Sequence, residues 1–290
     1  MFKVECMLSN GEVYDYLKKD GGEKVLLLVH GNYASANHWD VFLEKIPSKY
    51  TVYAPDLRGY GRSTYNQPIE DFKTFAYDLK LFCDHFSLNK ITIIGWSNGG
   101  GIAMQFAAMY PNLVEKMVLL ASMPAGGYPA YDENNQRYQT RETIEKDPML
   151  NRLVEAQKMK ELPFFTEAME QLMFVKGRQV LGERFERYIE AAIQQRNIMD
   201  VAHAANVFNI TDIDNEIAAG TGEINNIKAE TFLMWGNKDV LTTREMTTTL
   251  LQDLKQSGVN VIFRELDAGH AFVIEEVDEV IRELESFFHR

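Results

Sequence analysis

A serine flanked by glycines, an aspartate and a late histidine are the residues of this chain whose types and order could do chemistry. Ser97 stands in Gly95-Trp96-Ser97-Asn98-Gly99. At ordinary glycine and serine frequencies a G-x-S-x-G string arises in roughly one chain in ten of this length, so its surroundings decide its meaning. The apolar run ITIIG from Ile91 leads into it, and a helical pattern leaves it and continues to about Tyr110. That is the strand, sharp turn and helix that lift a serine hydroxyl clear of a sheet. Such a turn needs small residues on both sides, and the helix N-terminus favours developing negative charge.

A serine hydroxyl is a weak nucleophile without a base. The chain has six histidines. His270, in Asp267-Ala268-Gly269-His270, directly follows the last apolar run and is the expected base. His30 also follows a strand, in a His-Gly-Asn loop, where its expected role is to hold that loop. His38, His85 and His203 fall in helical patterns and His289 near the C-terminus, as surface or packed residues. The carboxylate expected to orient His270 is Asp239 of WGNKD. An aspartate just ahead of a helix is equally suited to capping it; the order Ser97, Asp239, His270 favours the catalytic role. Asp267 lies too close to His270 in sequence to be the first choice. Acyl transfer also needs two N–H donors for the developing oxyanion. The expected pair is the backbone amides of Asn98, after the nucleophile, and of Asn32, in the loop His30-Gly31-Asn32-Tyr33.

These loops need a scaffold. Val4 to Leu8 and Val13 to Leu17 read as two strands joined at Asn10-Gly11. VLLLV (Val25 to Val29), TVYAPDL from Thr51, ITIIG from Ile91 and MVLLAS from Met117 are continuous apolar runs, as in parallel strands buried on both faces. Phe72, Phe75, Ala76, Leu79, Phe82 and Cys83 recur at helical spacing between them. The alternation predicts βαβ units in a doubly wound, mostly parallel α/β sheet. From Met123 to Lys228 no strand run occurs. The stretch is rich in Glu, Gln, Arg, Met and Ala and is punctuated by Pro124, Pro129, Pro148 and Pro163. ETFLMWG from Glu230 then restores a strand. A helix follows from about Thr242 to Gln256, a last strand begins at Val259, and a C-terminal helix presents Val277, Val280, Ile281, Leu284 and Phe288 on one face. The expected division is a sheet domain of residues 1–122 and 229–290 interrupted by a helical insertion, 123–228.

The bulk numbers bound the partners. A chain of 290 residues with 46% hydrophobic content supports a large core, and a net charge of −12 opposes nucleic acid. Cys6 and Cys83 read as reduced core thiols, with no disulfide framework or zinc spacing. Lys3 and Glu5 interrupt the N-terminal apolar stretch, so no signal peptide and no membrane span are expected, and the cytoplasm is the default location. Gly99-Gly100-Gly101 is not followed by the lysine of a phosphate loop, so no cofactor and no metal are expected. Nothing in the sequence specifies an oligomeric state.

Taken together, HGNYAS, DLRGYGRS (Asp56 to Ser63), GWSNGGG, WGNKD and DAGHAF resemble the α/β-hydrolase superfamily in order and spacing, over essentially the whole core. The resemblance implies a helical cap for the 123–228 insertion and a mainly structural role for Asp56, Arg58 and Ser63. More narrowly, HGN with HWD, DLRGYGRSTYNQP and GWSNGGGIAMQFA look like bacterial carboxylesterases, including intracellular poly(3-hydroxybutyrate) depolymerase-like enzymes. The expected activity is hydrolysis of a small-molecule ester through an acyl-enzyme. C–C bond hydrolysis, lactone opening, peracid formation and aminopeptidase action on the same triad are the alternatives, and a non-catalytic ligand-binding protein is the alternative of another class. Haloalkane dehalogenases and epoxide hydrolases of this fold use an aspartate nucleophile, where this chain has Ser97. Trp96, Tyr33, Tyr128 and Phe164 are candidates to line the substrate pocket. Tyr131, Phe165 and Phe174 are further candidates; for these three, as for Tyr128 and Phe164, packing within the insertion is the simpler role.

Overall fold

The structure, a computed structural model, describes residues 2–178 and 182–290; residues 179–181 of the 123–228 stretch lie outside the described residues. The strands are β1 (Phe2–Met7), β2 (Val13–Lys19), β3 (Lys24–Val29), β4 (Tyr50–Pro55), β5 (Ile91–Trp96), β6 (Val114–Leu120), β7 (Glu230–Gly236) and β8 (Val261–Leu266). The α-helices are α1 (Asp40–Lys45), α2 (Phe72–His85), α3 (Asn98–Met109), α4 (Arg141–Ile144), α5 (Pro148–Lys158), α6 (Leu162–Leu172), α7 (Glu183–Ile193), α8 (Ile198–Val207), α9 (Arg244–Gln256), α10 (Phe272–Glu275) and α11 (Val277–Phe288).

The eight strands form one sheet in the order β1-β2-β4-β3-β5-β6-β7-β8. From β4 to β8 all pairs are parallel, while β2 runs antiparallel to both β1 and β4. The apolar runs behave as their composition requires. Along β3, Leu27 and Val29 face one core and Leu26 and Leu28 the other. Ile93 and Ile94 divide in the same way along β5, and Leu119 and Leu120 along β6. One face is covered by α2, α3 and α9 through residues such as Phe72, Phe106 and Leu254; α11 covers the other through Val280, Leu284 and Phe287. Each large apolar side chain fully withdrawn from water in this way contributes about 1.5–3 kcal/mol.

Three boundaries differ from expectation. The first hairpin does not turn on Asn10-Gly11 alone. Leu8 N–H donates to Glu12 O and Gly11 N–H to Leu8 O, so Ser9, Asn10 and Gly11 form a longer loop with Gly11 at φ 85°. Helix α9 starts later than Thr242 because Thr243 caps it, accepting from Met246 N–H. The last strand likewise begins at Val261 rather than Val259.

Helices α4 to α8 all lie between β6 and β7. Pro148 and Pro163 occupy first-turn positions of α5 and α6, where a missing N–H costs nothing. The aromatic side chains divide. Phe165 and Phe174 are buried against the sheet-side core, Phe174 edge-on to Phe185, whereas Tyr131 is exposed. Phe165 and Phe174 therefore serve packing. Val201, Ala204 and Ala205 of α8 join the core cluster that contains Phe72. No helix among the described residues is long and apolar enough to cross a membrane.

The winding direction of the sheet reverses at β3, which has β4 on one side and β5 on the other. In open α/β sheets the loops leaving the strands' carboxyl ends at such a point diverge and leave a crevice. The loops after β3 and β5 carry Asn32 and Ser97.

Candidate active site

Ser97 sits between β5 and α3 at φ 58°, ψ −124°, a backbone conformation that side-chain-bearing residues rarely adopt. Three hydrogen bonds hold it there. Its N–H donates to Leu120 O at 3.0 Å, and its carbonyl accepts from Gly100 N–H at 2.9 Å and Met123 N–H at 3.3 Å. The turn is so tight that a Cβ at Gly95 would lie 2.3 Å from the Gly99 carbonyl oxygen, which accounts for the small residues around the serine. Backbone strain of this kind costs about 1–3 kcal/mol and persists at sites where geometry matters. We therefore expect Ser97→Gly to raise thermal stability by about 1 kcal/mol, after glycine's greater unfolded-state entropy is subtracted. Loss of stability in thermal unfolding would contradict a strained turn.

His270 follows β8 and is buried, as is Asp239 after β7. His270 Nδ1 and Asp239 Oδ2 are 2.7 Å apart. A carboxylate can only accept, so the proton of this bond lies on Nδ1, which leaves Nε2 with the lone pair a base needs. Asp239 is itself tied down. Its Oδ1 accepts from Leu241 N–H at 2.8 Å and Thr242 N–H at 3.0 Å, and its Oδ2 from the Thr242 hydroxyl at 2.5 Å. This is a local turn; the cap of α9 is Thr243. Burial pushes the Asp239 carboxyl up, but the His270 charge and hydrogen bond, with the bonds from Thr242, outweigh it and hold the group below the ordinary aspartate value. Asp267, in contrast, is exposed and paired with Lys238 and Arg178.

The two halves of the site are joined through Trp96. Its indole N–H donates to the His270 carbonyl at 3.0 Å, and its ring packs among Trp39, His38 and His270. Trp96 is 1% exposed. It supports the histidine loop from beneath, its ring and its N–H both used within the core.

The loop after β3 lies directly against the serine. A Cβ at Gly31 would fall 2.8 Å from Ser97 Cβ and 3.0 Å from the Trp96 carbonyl oxygen, so only glycine lets the loop approach. Next to it, Tyr33 N–H donates to Gln195 Oε1 at 2.9 Å, which removes Tyr33 as an oxyanion donor. Asn98 opens α3 directly after Ser97. His30 holds the loop: Nε2 accepts from Leu57 N–H at 3.0 Å and Nδ1 donates to Gly31 O at 2.8 Å. The DLRGYGRS segment braces it from below. Asp56 Oδ1 accepts from Ala36 N–H, the Ser63 hydroxyl donates to Asp56 O, and Arg58 makes a buried two-point bond to Asp78.

Two of these buried histidines make stability pH-dependent. Burial pushes His30 down to about 4; burial, with the neighbouring His30, pushes His38 down to about 3. Both are neutral in the folded protein, whereas in the unfolded chain each takes up a proton near pH 6.5. The unfolded state thus binds more protons as pH falls, so this stability is complete above about pH 6.5 and is lost towards pH 4. Urea unfolding should show a loss on the order of a few kcal/mol between about pH 7.5 and about pH 5. An unchanged midpoint would contradict the burial of neutral imidazoles.

The remaining pocket candidates lie at the border with the 123–228 stretch. Tyr33 is half-buried, and burial together with Asp147, the cap of α5, raises its phenol. Tyr128 spends its hydroxyl on Leu241 O at 2.8 Å, two residues from Asp239. Phe164 lies under the Arg152 guanidinium, 4.6 Å from its ring centre, and edge-on to Phe165.

Several residues that hold the site have no signature in the sequence. Thr242 was legible only as a neighbour of the acid. Glu275 accepts from both Gly269 N–H and Val175 N–H, and Ala271 N–H donates to Met173 O, so the histidine loop is bonded to the segment after α6. Gln195 to Asn197 bond to the loops after β3 and β4. None of these carries a local pattern.

A family model for the alpha/beta hydrolase fold matches residues 24–277. An uncharacterised protein of Mycobacterium tuberculosis is 36% identical over 109 residues, 37% of this chain and 30% of that protein. The chain thus matches less than a third of that relative's length. Epoxide hydrolase 4 of Mus musculus is 25% identical over 232 residues, 78% of this chain and 62% of that protein. Among solved structures, an esterase from Exiguobacterium antarcticum superposes with a TM-score of 0.75 at 17% identity, covering 100% of both chains.

Proposed function

The chain belongs to the alpha/beta hydrolase fold family, and from that premise we propose that it is a serine hydrolase that cleaves carboxylic esters through an acyl-enzyme. The observation that carries the reading is Ser97 at φ 58°, ψ −124° in the turn after β5, with the 2.7 Å His270–Asp239 pair on the loops after β8 and β7 and the neighbouring Trp96 bonded to the His270 carbonyl. In this reading His270 Nε2 takes the Ser97 proton as the hydroxyl oxygen attacks the ester carbonyl. Asp239 keeps Nδ1 protonated and stabilises the imidazolium that forms. The amides of Asn32 and Asn98 receive the negative charge of the tetrahedral intermediate. The protonated imidazole then returns its proton to the departing alcohol. Water, activated by the same nitrogen, releases the acid and restores Ser97.

The similarity to an epoxide hydrolase does not carry that enzyme's activity over, because alkyl-ester chemistry in this fold starts from an aspartate at the elbow, where this chain has Ser97. Helices α4 to α8 are the cap in this reading. The acyl group is placed between them and the loop after β3, near Tyr33, Phe164 and Tyr128. Support comes from Tyr33 meeting the field of Asp147 and from the bonds that tie Met173 and Val175 to the histidine loop.

A series of p-nitrophenyl esters from acetate to decanoate, with 3-hydroxybutyrate oligomers alongside, tests the reading. Turnover of some members, with a preference along the series, is the expected result. Failure to cleave any of them would remove ester hydrolysis and turn the search to C–C or amide substrates.

A further inference from the structure

Gln195 lies in the four-residue link between α7 (Glu183–Ile193) and α8 (Ile198–Val207), far in sequence from the loop after β3, yet it is 2% exposed and bonded to that loop. Its Oε1 accepts from Tyr33 N–H at 2.9 Å. Its Nε2 donates to Asn32 Oδ1 at 2.7 Å and to Asn197 Oδ1 at 2.9 Å. The Tyr33 N–H can only donate, so it fixes which end of the Gln195 amide is oxygen, and with it the orientation of Asn32. Asn32 Oδ1 accepts a second bond from the Tyr60 hydroxyl at 3.0 Å. The neighbours of Gln195 anchor it in turn. Asn197 Nδ2 donates to Arg58 O at 2.8 Å, Arg196 N–H to Gly59 O at 2.8 Å, and the Arg196 guanidinium to Gly61 O and Ser63 O.

We infer that Gln195 is a positioning residue for the oxyanion donor: from the far side of the insertion it clamps Asn32 by its side chain and Tyr33 by its backbone, and so sets the aim of the Asn32 amide at Ser97. The inference rests on the proposed hydrolase reading, since only there does the aim of that amide govern a rate. Tyr33, at φ 52°, is itself in an unfavourable conformation, so the loop needs an outside partner to hold its shape. Gln195 holds the Tyr33 N–H and the preceding Asn32 side chain at once. An oxyanion donor acts on the charge of the transition state more than on the bound ester, so the effect of loosening it falls on kcat.

Two variants of the full chain test this. Gln195→Leu removes all three bonds. Gln195→Glu keeps the shape and the acceptor for Tyr33 N–H but sets a carboxylate oxygen against Asn32 Oδ1 and Asn197 Oδ1; it serves if the leucine variant does not fold. For a folded variant, kcat on an activated ester should fall by about ten- to a hundredfold with KM changed by less than about threefold. Hydrogen exchange of the Tyr33 amide should quicken by at least about tenfold in Gln195→Leu. A folded variant whose kcat stays within about twofold of wild type, or a leucine variant whose Tyr33 amide exchanges at the wild-type rate, would overturn the inference. If the wild-type protein cleaves no ester at all, the proposed function fails, and the exchange rates alone decide whether Gln195 holds the loop.

Discussion

Replacing Ser97 by Ala is expected to lower kcat/KM on a p-nitrophenyl ester by about 10⁴- to 10⁶-fold. The substitution removes the attacking oxygen and little else. Alanine can occupy the same strained backbone, and the bonds from Ser97 N–H to Leu120 O and from Gly100 N–H to Ser97 O do not involve the side chain. Thermal stability should therefore stay close to wild type, which separates loss of chemistry from loss of fold. The residual rate comes from the oxyanion donors acting on direct attack by water. Steady-state kinetics with thermal unfolding on the same samples checks both halves. A stable variant that keeps a tenth or more of the activity would place the nucleophile elsewhere.

The second large effect is expected at the acid. Asp239→Asn should lower kcat by about 10³- to 10⁴-fold. The asparagine oxygen can still accept from Leu241 and Thr242 N–H, so the turn survives. Its NH₂ now faces His270 Nδ1 and the Thr242 hydroxyl in place of an acceptor. To make a bond there Nδ1 must give up its proton, which puts the proton on Nε2 and leaves nothing to accept from Ser97. Asp267→Asn is the control. That carboxylate is exposed and bonded to Lys238 and Arg178, so its loss should change kcat by no more than about twofold. If Asp267→Asn inactivates the protein and Asp239→Asn does not, the roles are reversed.

The parts of the molecule that were legible in the sequence are those set by local rules. VLLLV and ITIIG read as strands because both faces of a central parallel strand are covered, and Leu26 and Leu27 duly face opposite cores. Helix α2 was visible in the spacing of Phe72, Phe75, Leu79 and Phe82, all buried. Asp239 and His270 were legible from chain order, and the geometry brings them into one hydrogen bond. What was not legible depends on distant residues. The link from Gln195 to Asn32 spans 163 positions, and a glutamine after a helix gives no local sign of such a partner. Trp96 looked like a pocket residue because it adjoins Ser97. Strand alternation turns its ring into the sheet-side core, where its N–H finds the His270 carbonyl. Phe165 and Phe174 could not be told from pocket aromatics until the packing of α6 and α7 was known.

In the proposed reaction Ser97 is a nucleophile activated by the His270–Asp239 pair. Reaction with a fluorophosphonate, followed by intact-mass measurement and peptide mapping, reads this out, because the reagent reports an activated serine whatever the natural substrate. One adduct per chain, located on Ser97, absent in Ser97→Ala and formed far more slowly in Asp239→Asn, is the predicted result. No adduct on the folded wild-type protein, or an adduct on another residue with Ser97 unmodified, would contradict it.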